Sequence, residues 1–226
     1  MNDIKALAIV IDGTLTDHTR KLCINAIKAI RKAEAKGIPT ILVTGNIVAY
    51  TRAISFSIGT SGGMVCENGG VIYSNYEVKV IADITKAQKA YTFLKNNSAT
   101  KNIHKVPFAE LRTSEVTLLR TDEAKLIKES LKDHDIEIYD TKFALHLTDP
   151  TVNKGTSLKL VAEDLGINMS EILGIGDSEN DLSFLNEVGF SVAVSNADKK
   201  LKDVVDYVTF KPYGDGVAEA ITQFVL

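Results

Sequence analysis

Three apolar runs of strand length each end in a polar turn that carries glycine, and this recurrence constrains the fold more than any other feature of the chain. Leu7-Ala8-Ile9-Val10-Ile11 runs into Asp12-Gly13-Thr14-Leu15-Thr16-Asp17. Ile38-Pro39-Thr40-Ile41-Leu42-Val43 runs into Thr44-Gly45-Asn46, and Ile172-Leu173-Gly174-Ile175 into Gly176-Asp177-Ser178-Glu179-Asn180-Asp181. A run apolar at every position, rather than at every second one, is covered on both faces, as in parallel strands that alternate with helices. Helical patterns do follow: Ile24, Ile27, Ile30 and Ala33 share one face before a C-cap at Gly37, a second pattern over residues 47–58 stops at Gly59, and a third over 156–165 stops at Gly166. In open sheets of this kind the ligand crevice lies beyond the carboxyl ends of the strands, where Asp12, Thr44 and Asp177 all fall.

The middle of the chain has a different character. Met64-Val65-Cys66 reads as a third short strand, and the Glu67-Asn68-Gly69-Gly70 turn leads into hairpins over residues 71–73 and 77–81. From 82 to 150, polar helices (86–95 and 122–132) alternate with amphipathic strands (116–119, 136–139 and 143–147), an α+β pattern with one sheet face toward solvent. After Pro150 the βα alternation resumes, with a helix from about 180, strands at 191–194 and 207–210, and a last helix from about 217. The expected architecture is α/β: a Rossmann-like parallel-sheet core from residues 1–81 and 151–226, with an α+β unit, 82–150, inserted in it.

Composition narrows the function. At 226 residues and 45% hydrophobic content the chain has ample material for a packed core. A net charge of −3 and a pI near 5.8, with no long basic block and no P-loop lysine motif, argue against nucleic acid, anionic membrane and kinase chemistry. Any recognition of phosphate is then local. Cys23 and Cys66 read as reduced, buried thiols, and no apolar run has the length of a membrane span or the form of a signal peptide, so a soluble cytoplasmic protein is expected.

Several residues carry two readings. Asp177 and Asp181 would offer hard oxygen ligands to Mg²⁺, which favours one or two carboxylates plus substrate phosphate, yet Ser178-x-x-Asp181 is also a helix capping box. Asp12-Gly13 alone is an ordinary turn, but in the longer string the glycine lets backbone approach a phosphate. Thr44, with the amides of Gly45 and Asn46, could cradle phosphate oxygens or simply cap the helix that follows, and Lys154 could neutralise a phosphate or sit in a surface turn. His18, His104, His134 and His146 share no metal-ligand spacing and read as exposed or edge-strand residues, while Phe56, Phe93, Phe143 and Phe184 fall at core-like positions.

Taken in order, Asp12-Gly13-Thr14, Val43-Thr44-Gly45-Asn46, Asn153-Lys154-Gly155-Thr156 and Gly176-Asp177-x-x-x-Asp181 resemble the four motifs of the haloacid dehalogenase superfamily of phosphatases, in its Cof-type subfamily; the compact length resembles the archaeal phosphoglycolate phosphatases within it. The resemblance makes 82–150 a cap domain and implies Mg²⁺-dependent hydrolysis of a small phosphorylated metabolite through an aspartyl phosphate. It implies Asp12 as general acid and base, Asp12, Asp177 and Asp181 as metal ligands, and Thr44, Gly45, Asn46 and Lys154 as phosphate contacts. Arg112 is the candidate to meet a substrate carboxylate, against the plainer reading of a solvent-exposed arginine. One position departs from the pattern: the nucleophilic Asp of the superfamily is replaced by Val10, which cannot attack phosphorus. Because the other motif residues are all present, an altered enzyme that lacks one group is favoured over a pseudoenzyme that only binds phosphometabolites. A sugar-phosphate phosphatase is a further alternative, and a homodimer is left open.

Overall fold

The computed structural model describes residues 3–121, 123–141 and 143–226. The chain opens with β1 (Ala6–Val10), whose five residues are all buried, and a tight turn (Ile11–Leu15) leads toward α1 (Ile24–Ala35). Then come β2 (Thr40–Val43), α2 (Val48–Ile58), β3 (Met64–Cys66) and the antiparallel pair β4 (Val71–Ser74) and β5 (Glu77–Val80). α2 ends on Gly59 at φ 89°, a left-handed cap whose N–H donates to the Ser55 carbonyl. The second segment holds α3 (Ile84–Asn96), β6 (Val116–Leu119), α4 (Ala124–Ser130), β7 (Glu137–Asp140) and β8 (Ala144–Thr148). The helix expected over 122–132 is thus seen as α4, its first position, Asp122, lying outside the described residues. The chain closes with α5 (Lys154–Asp164), β9 (Ile172–Gly176), α6 (Leu182–Leu185), β10 (Phe190–Ala193), α7 (Lys199–Lys202), β11 (Tyr207–Val208) and α8 (Tyr213–Phe224).

The large sheet has the order β11-β10-β9-β1-β2-β3-β4-β5, parallel from β11 through β3. β1 lies between β9 and β2, with Ile9 opposite both Ile175 and Leu42, so three strand ends emerge side by side. This is the parallel α/β core that the apolar runs predict. Among the described residues no helix is long and apolar enough to cross a membrane.

Two expectations about packing are overturned. Ile24 is 67% exposed, because the buried stripe of α1 is Ala26, Ala29, Ile30 and Ala33. Of the four phenylalanines only Phe184 is buried; Phe56, Phe93 and Phe143 are exposed. They are not bare, however: the Arg52 guanidinium lies 3.9 Å from the Phe56 ring, that of Arg20 lies 5.2 Å from Phe143, and the rings of Phe93 and His134 are 4.3 Å apart. Both cysteines are free, Cys66 buried and Cys23 only partly so.

The smaller sheet, β6-β8-β7, is antiparallel and has its own apolar cluster: Ala87, Ala90 and Leu94 of α3 and Ile127 of α4 pack on Val116, Leu118, Leu145 and Leu147. Its opposite face was expected to meet solvent. Instead Glu115, Thr117 and His146 are all buried, since this face is turned toward the strand ends of the larger sheet and lines the cavity there.

Asp149 joins the two chain crossings between the sheets. It accepts from the Asp83 N–H at 2.9 Å, from Lys86 Nζ at 2.8 Å, and from the Thr151 N–H and hydroxyl at 3.1 and 2.9 Å. Partial burial pushes its carboxyl up, but the bonds from Lys86, Asp83 and Thr151 outweigh that and hold it well below the usual carboxylate range. A depressed folded-state pKa adds stability that is complete above the unfolded value of about 3.9 and is lost as pH falls through the folded one. Urea midpoints measured from pH 7 down to pH 2 should therefore fall less steeply in Asp149→Asn than in the parent, with the parent losing its advantage below about pH 4.

Candidate active site

A cavity of about 630 Å³ lies where the ends of β1, β2 and β9 face the polar side of the smaller sheet. Val10, Asp12, Thr44, Gly45, Asn46, Arg112, Lys154 and Asp177 all line it; Asp181 does not.

The turn after β1 is built around Gly13, at φ 78°. A Cβ there would fall 2.3 Å from Asp177 Oδ2, so only glycine lets the turn and the carboxylate meet. The Thr14 hydroxyl donates to Asp177 Oδ1 at 2.7 Å, and Asn196 Nδ2 donates to the Gly13 carbonyl at 2.9 Å. Asp12 is held by Asn46 Nδ2 at 2.5 Å and Arg20 Nη2 at 3.2 Å. Asn46 in turn donates from both its N–H and its side-chain amide to the Thr44 hydroxyl, at 3.1 and 3.0 Å. Thr44 is therefore not a helix cap: α2 starts only at Val48, and its cap residue, Ile47, has no side-chain bond. An oxygen that already accepts twice has its own hydrogen left to donate, which suits Thr44 to an anionic oxygen.

The two aspartates of the β9 turn do different things. Burial first, and then the negative charge of Asp181, push the Asp177 carboxyl up to about 7, against the Thr14 hydrogen bond and the charge of Lys154. Asp177 Oδ2 accepts no hydrogen bond from the described residues. Asp181 is fully buried with both oxygens engaged: Oδ1 accepts from Lys154 Nζ at 2.6 Å, and Oδ2 from the N–H groups of Asp177 and Ser178 at 3.1 and 3.0 Å and the Ser178 hydroxyl at 3.2 Å. The capping box is thus the arrangement seen at Asp181. Among the described residues no group of three His, Cys, Asp or Glu side chains is placed to hold a metal ion, so Asp12, Asp177 and Asp181 do not converge as the set of ligands expected. Asp181 stands behind Asp177, with Lys154 set between it and the cavity.

Arg112 is not a solvent-exposed arginine. Its side chain is 12% exposed, and Nη1 donates to the Gly45 carbonyl at 2.9 Å and to the Glu115 carboxylate. Around it lie residues that the sequence did not assign to the site. Asn68, in a buried turn at φ 56°, donates to Glu115 Oε2 at 3.0 Å, and His146 Nδ1 lies 2.8 Å from Glu115 Oε1. His146 was expected at an exposed or edge position, yet β8 is the central strand of its sheet and the residue is 6% exposed. A signal was present: in Leu145-His146-Leu147 and Val116-Thr117-Leu118 the polar residue alternates with core residues, which marks one sheet face as polar. No local pattern would have said that this face is buried.

With its parallel core, its inserted antiparallel sheet and its strand-end cavity, the chain belongs to the haloacid dehalogenase-like hydrolases, whose family model matches residues 7–114 and 82–221. It is 51% identical to a protein of Methanothermobacter thermautotrophicus named phosphoglycolate phosphatase, over 98% of this chain and 99% of that one. It is also 41% identical to one of the same name from Archaeoglobus fulgidus, over 98% and 96%. Among solved structures, a Thermoplasma acidophilum protein superposes with a TM-score of 0.90 at 25% identity, covering 99% of both chains.

Proposed function

We propose that the chain is built to hydrolyse a small phosphomonoester, phosphoglycolate above all, with Mg²⁺, and that it lacks only the attacking carboxylate. The observation that carries this reading is the bonded sequence Thr44–Asn46–Asp12 across two strand ends, with Asp177 and Lys154 beside it in one cavity. Residues 82–150 are the cap of this reading, and residues 1–81 and 151–226 its core.

The donor set suits a hard divalent ion. Asp177 keeps Oδ2 without a hydrogen-bond partner among the described residues, in a half-buried place where ionisation is disfavoured, which a cation would relieve, and Mg²⁺ is commonly held by one or two carboxylates plus substrate oxygens. Asp177 and Asp12 would hold the ion, with Asp181 supporting from behind. When bound, Mg²⁺ supplies charge neutralisation for the phosphoryl group. Lys154 and the Thr44 hydroxyl, with the amides of Gly45 and Asn46, bind the phosphoryl oxygens. With Asp at position 10, its carboxylate attacks phosphorus and the bond to the leaving alkoxide breaks as Asp12 gives that oxygen a proton. Asp12 then takes a proton from the water that releases phosphate. Val10 is the observation that favours the second reading, a protein that binds phosphometabolites without turnover.

Phosphate release from phosphoglycolate and from glucose 6-phosphate, measured for Val10→Asp with Mg²⁺ or with EDTA, tests the proposal. It requires release that EDTA stops and that favours phosphoglycolate. A preference for the sugar phosphate would move the chain to the sugar-phosphate phosphatases, and EDTA-resistant release would remove the metal.

A further inference from the structure

We infer that His146, oriented by Glu115, recognises the anionic group of the substrate that lies away from its phosphate, and so determines specificity together with Arg112. The inference rests on the phosphomonoester reading above and adds to it a residue and its orienting partner.

Position comes first. His146 lies opposite Thr117 of β6 and Tyr139 of β7, in the middle of the polar face that lines the cavity, while its neighbours Leu145 and Leu147 point into the apolar cluster on the other side. Orientation follows from Glu115. That residue is buried, and it accepts from Arg112 Nη1, from His146 Nδ1 at 2.8 Å, from Asn68 Nδ2 at 3.0 Å and from the Thr117 hydroxyl at 3.2 Å. Desolvation pushes the Glu115 carboxyl up, but the charge and hydrogen bond of His146, the charge of Arg112 and the Asn68 amide outweigh it and leave it below the usual carboxylate range. An ionised carboxylate can only accept, so the hydrogen of this pair is on Nδ1 and the ring is fixed. Nε2 then has no partner among the described residues, and it is not among their sealed, unpartnered polar atoms.

Rigidity is supplied from the core. Glu67 accepts from the Thr113 N–H at 3.1 Å and from the N–H and hydroxyl of Ser114 at 2.9 and 2.7 Å, which ties the segment leading to Glu115 to the end of β3. A buried carboxylate surrounded by cationic and polar donors is a poor means of adding stability, since desolvation offsets most of the gain. It is an effective means of holding donors ready. With Nη1 of Arg112 taken by Gly45 and Glu115, its Nε and Nη2 remain without acceptors among the described residues, as does Nε2 of His146. Arg112, and His146 in its imidazolium form, would present donors suited to a carboxylate, and a ligand without one leaves them unpaired, which is a strong basis for rejection.

Binding tests this on the chain as it stands, without the need for turnover. Phosphoglycolate and ethyl phosphate, which has the same number of carbons and no carboxylate, are titrated calorimetrically in excess Mg²⁺ into the parent, His146→Ala, His146→Gln and Glu115→Gln. His146→Ala is expected to weaken phosphoglycolate by about tenfold or more while leaving ethyl phosphate within about twofold. His146→Gln, which can still donate a hydrogen bond and guards against misfolding of the alanine variant, should recover part of the loss. Glu115→Gln should lower the same ratio. Equal weakening of both ligands, or an unchanged ratio in His146→Ala, overturns the role of His146; an unchanged ratio in Glu115→Gln removes Glu115 as its orienting partner. A parent that binds neither ligand defeats the phosphomonoester reading itself, a failure visible before any substitution is made.

Discussion

Val10→Asp is expected to raise phosphoglycolate hydrolysis by on the order of a thousandfold or more, a barrier change of about 4 kcal/mol at ~1.4 kcal/mol per factor of ten. The side chain at position 10 ends β1 and lines the cavity, and the strand beneath it is fixed by pairing with Val43 of β2, so a carboxylate placed there needs no rearrangement of backbone. Every other group the proposed chemistry uses is already bonded in place. The same substitution should lower stability, because it adds a carboxylate to a cavity that Asp12 and Asp177 already line, where burial already disfavours the ionised form of Asp177. Mg²⁺ that binds the folded state should restore the loss by mass action. Initial rates and melting temperatures with and without Mg²⁺ check both parts. A folded, Mg²⁺-stabilised variant that stays inert would end the altered-enzyme reading.

The two aspartates of the β9 turn should separate cleanly. Asp181→Ala is expected to destabilise the fold by roughly 3–5 kcal/mol, the usual cost of breaking a buried ion pair, because it removes the partner of the 6% exposed Lys154 and the acceptor of two backbone N–H groups. Asp177→Ala should cost little stability, since it removes a carboxylate whose ionisation burial already disfavours and whose side chain, among the described residues, accepts a hydrogen bond from Thr14 alone. Its effect should fall on Mg²⁺ affinity. Urea unfolding and Mg²⁺ titration of both variants in the Val10→Asp background read the contrast. Equal destabilisation of the two, or Mg²⁺ affinity untouched by Asp177→Ala, would place Asp177 with the structural residues.

Much of this site is legible in the sequence because it depends on strand ends. Apolar runs followed at once by Asp12, Thr44 and Asp177 place those residues at adjacent strand termini in a parallel sheet, and the structure brings them to one cavity. What a linear pattern cannot carry is direction within a turn. Asp177 and Asp181 look alike in sequence, yet the turn sends one to the cavity and the other into the interior toward Lys154. Long-range contacts are equally hidden: Glu115 and His146 are 31 residues apart and meet only because β6 and β8 pair. The last helix, expected from about 217, instead begins at Tyr213 and takes in Gly214 and Gly216, where a Cβ would fall 2.3 Å from Cys23 Cβ and 2.4 Å from the Lys211 carbonyl oxygen. Close packing, not turning, requires them.

The central claim is that this cavity is a complete phosphomonoesterase apart from one group, and trapping the phosphoryl group tests it most directly. Val10→Asp, mixed with Mg²⁺ and phosphoglycolate carrying radioactive phosphorus, is quenched in acid within a single turnover and digested, and the labelled peptide is located. The account predicts label on the carboxylate introduced at position 10, and no label in the parent chain treated alike. Turnover by Val10→Asp with no label there, or label elsewhere in the chain, would contradict it.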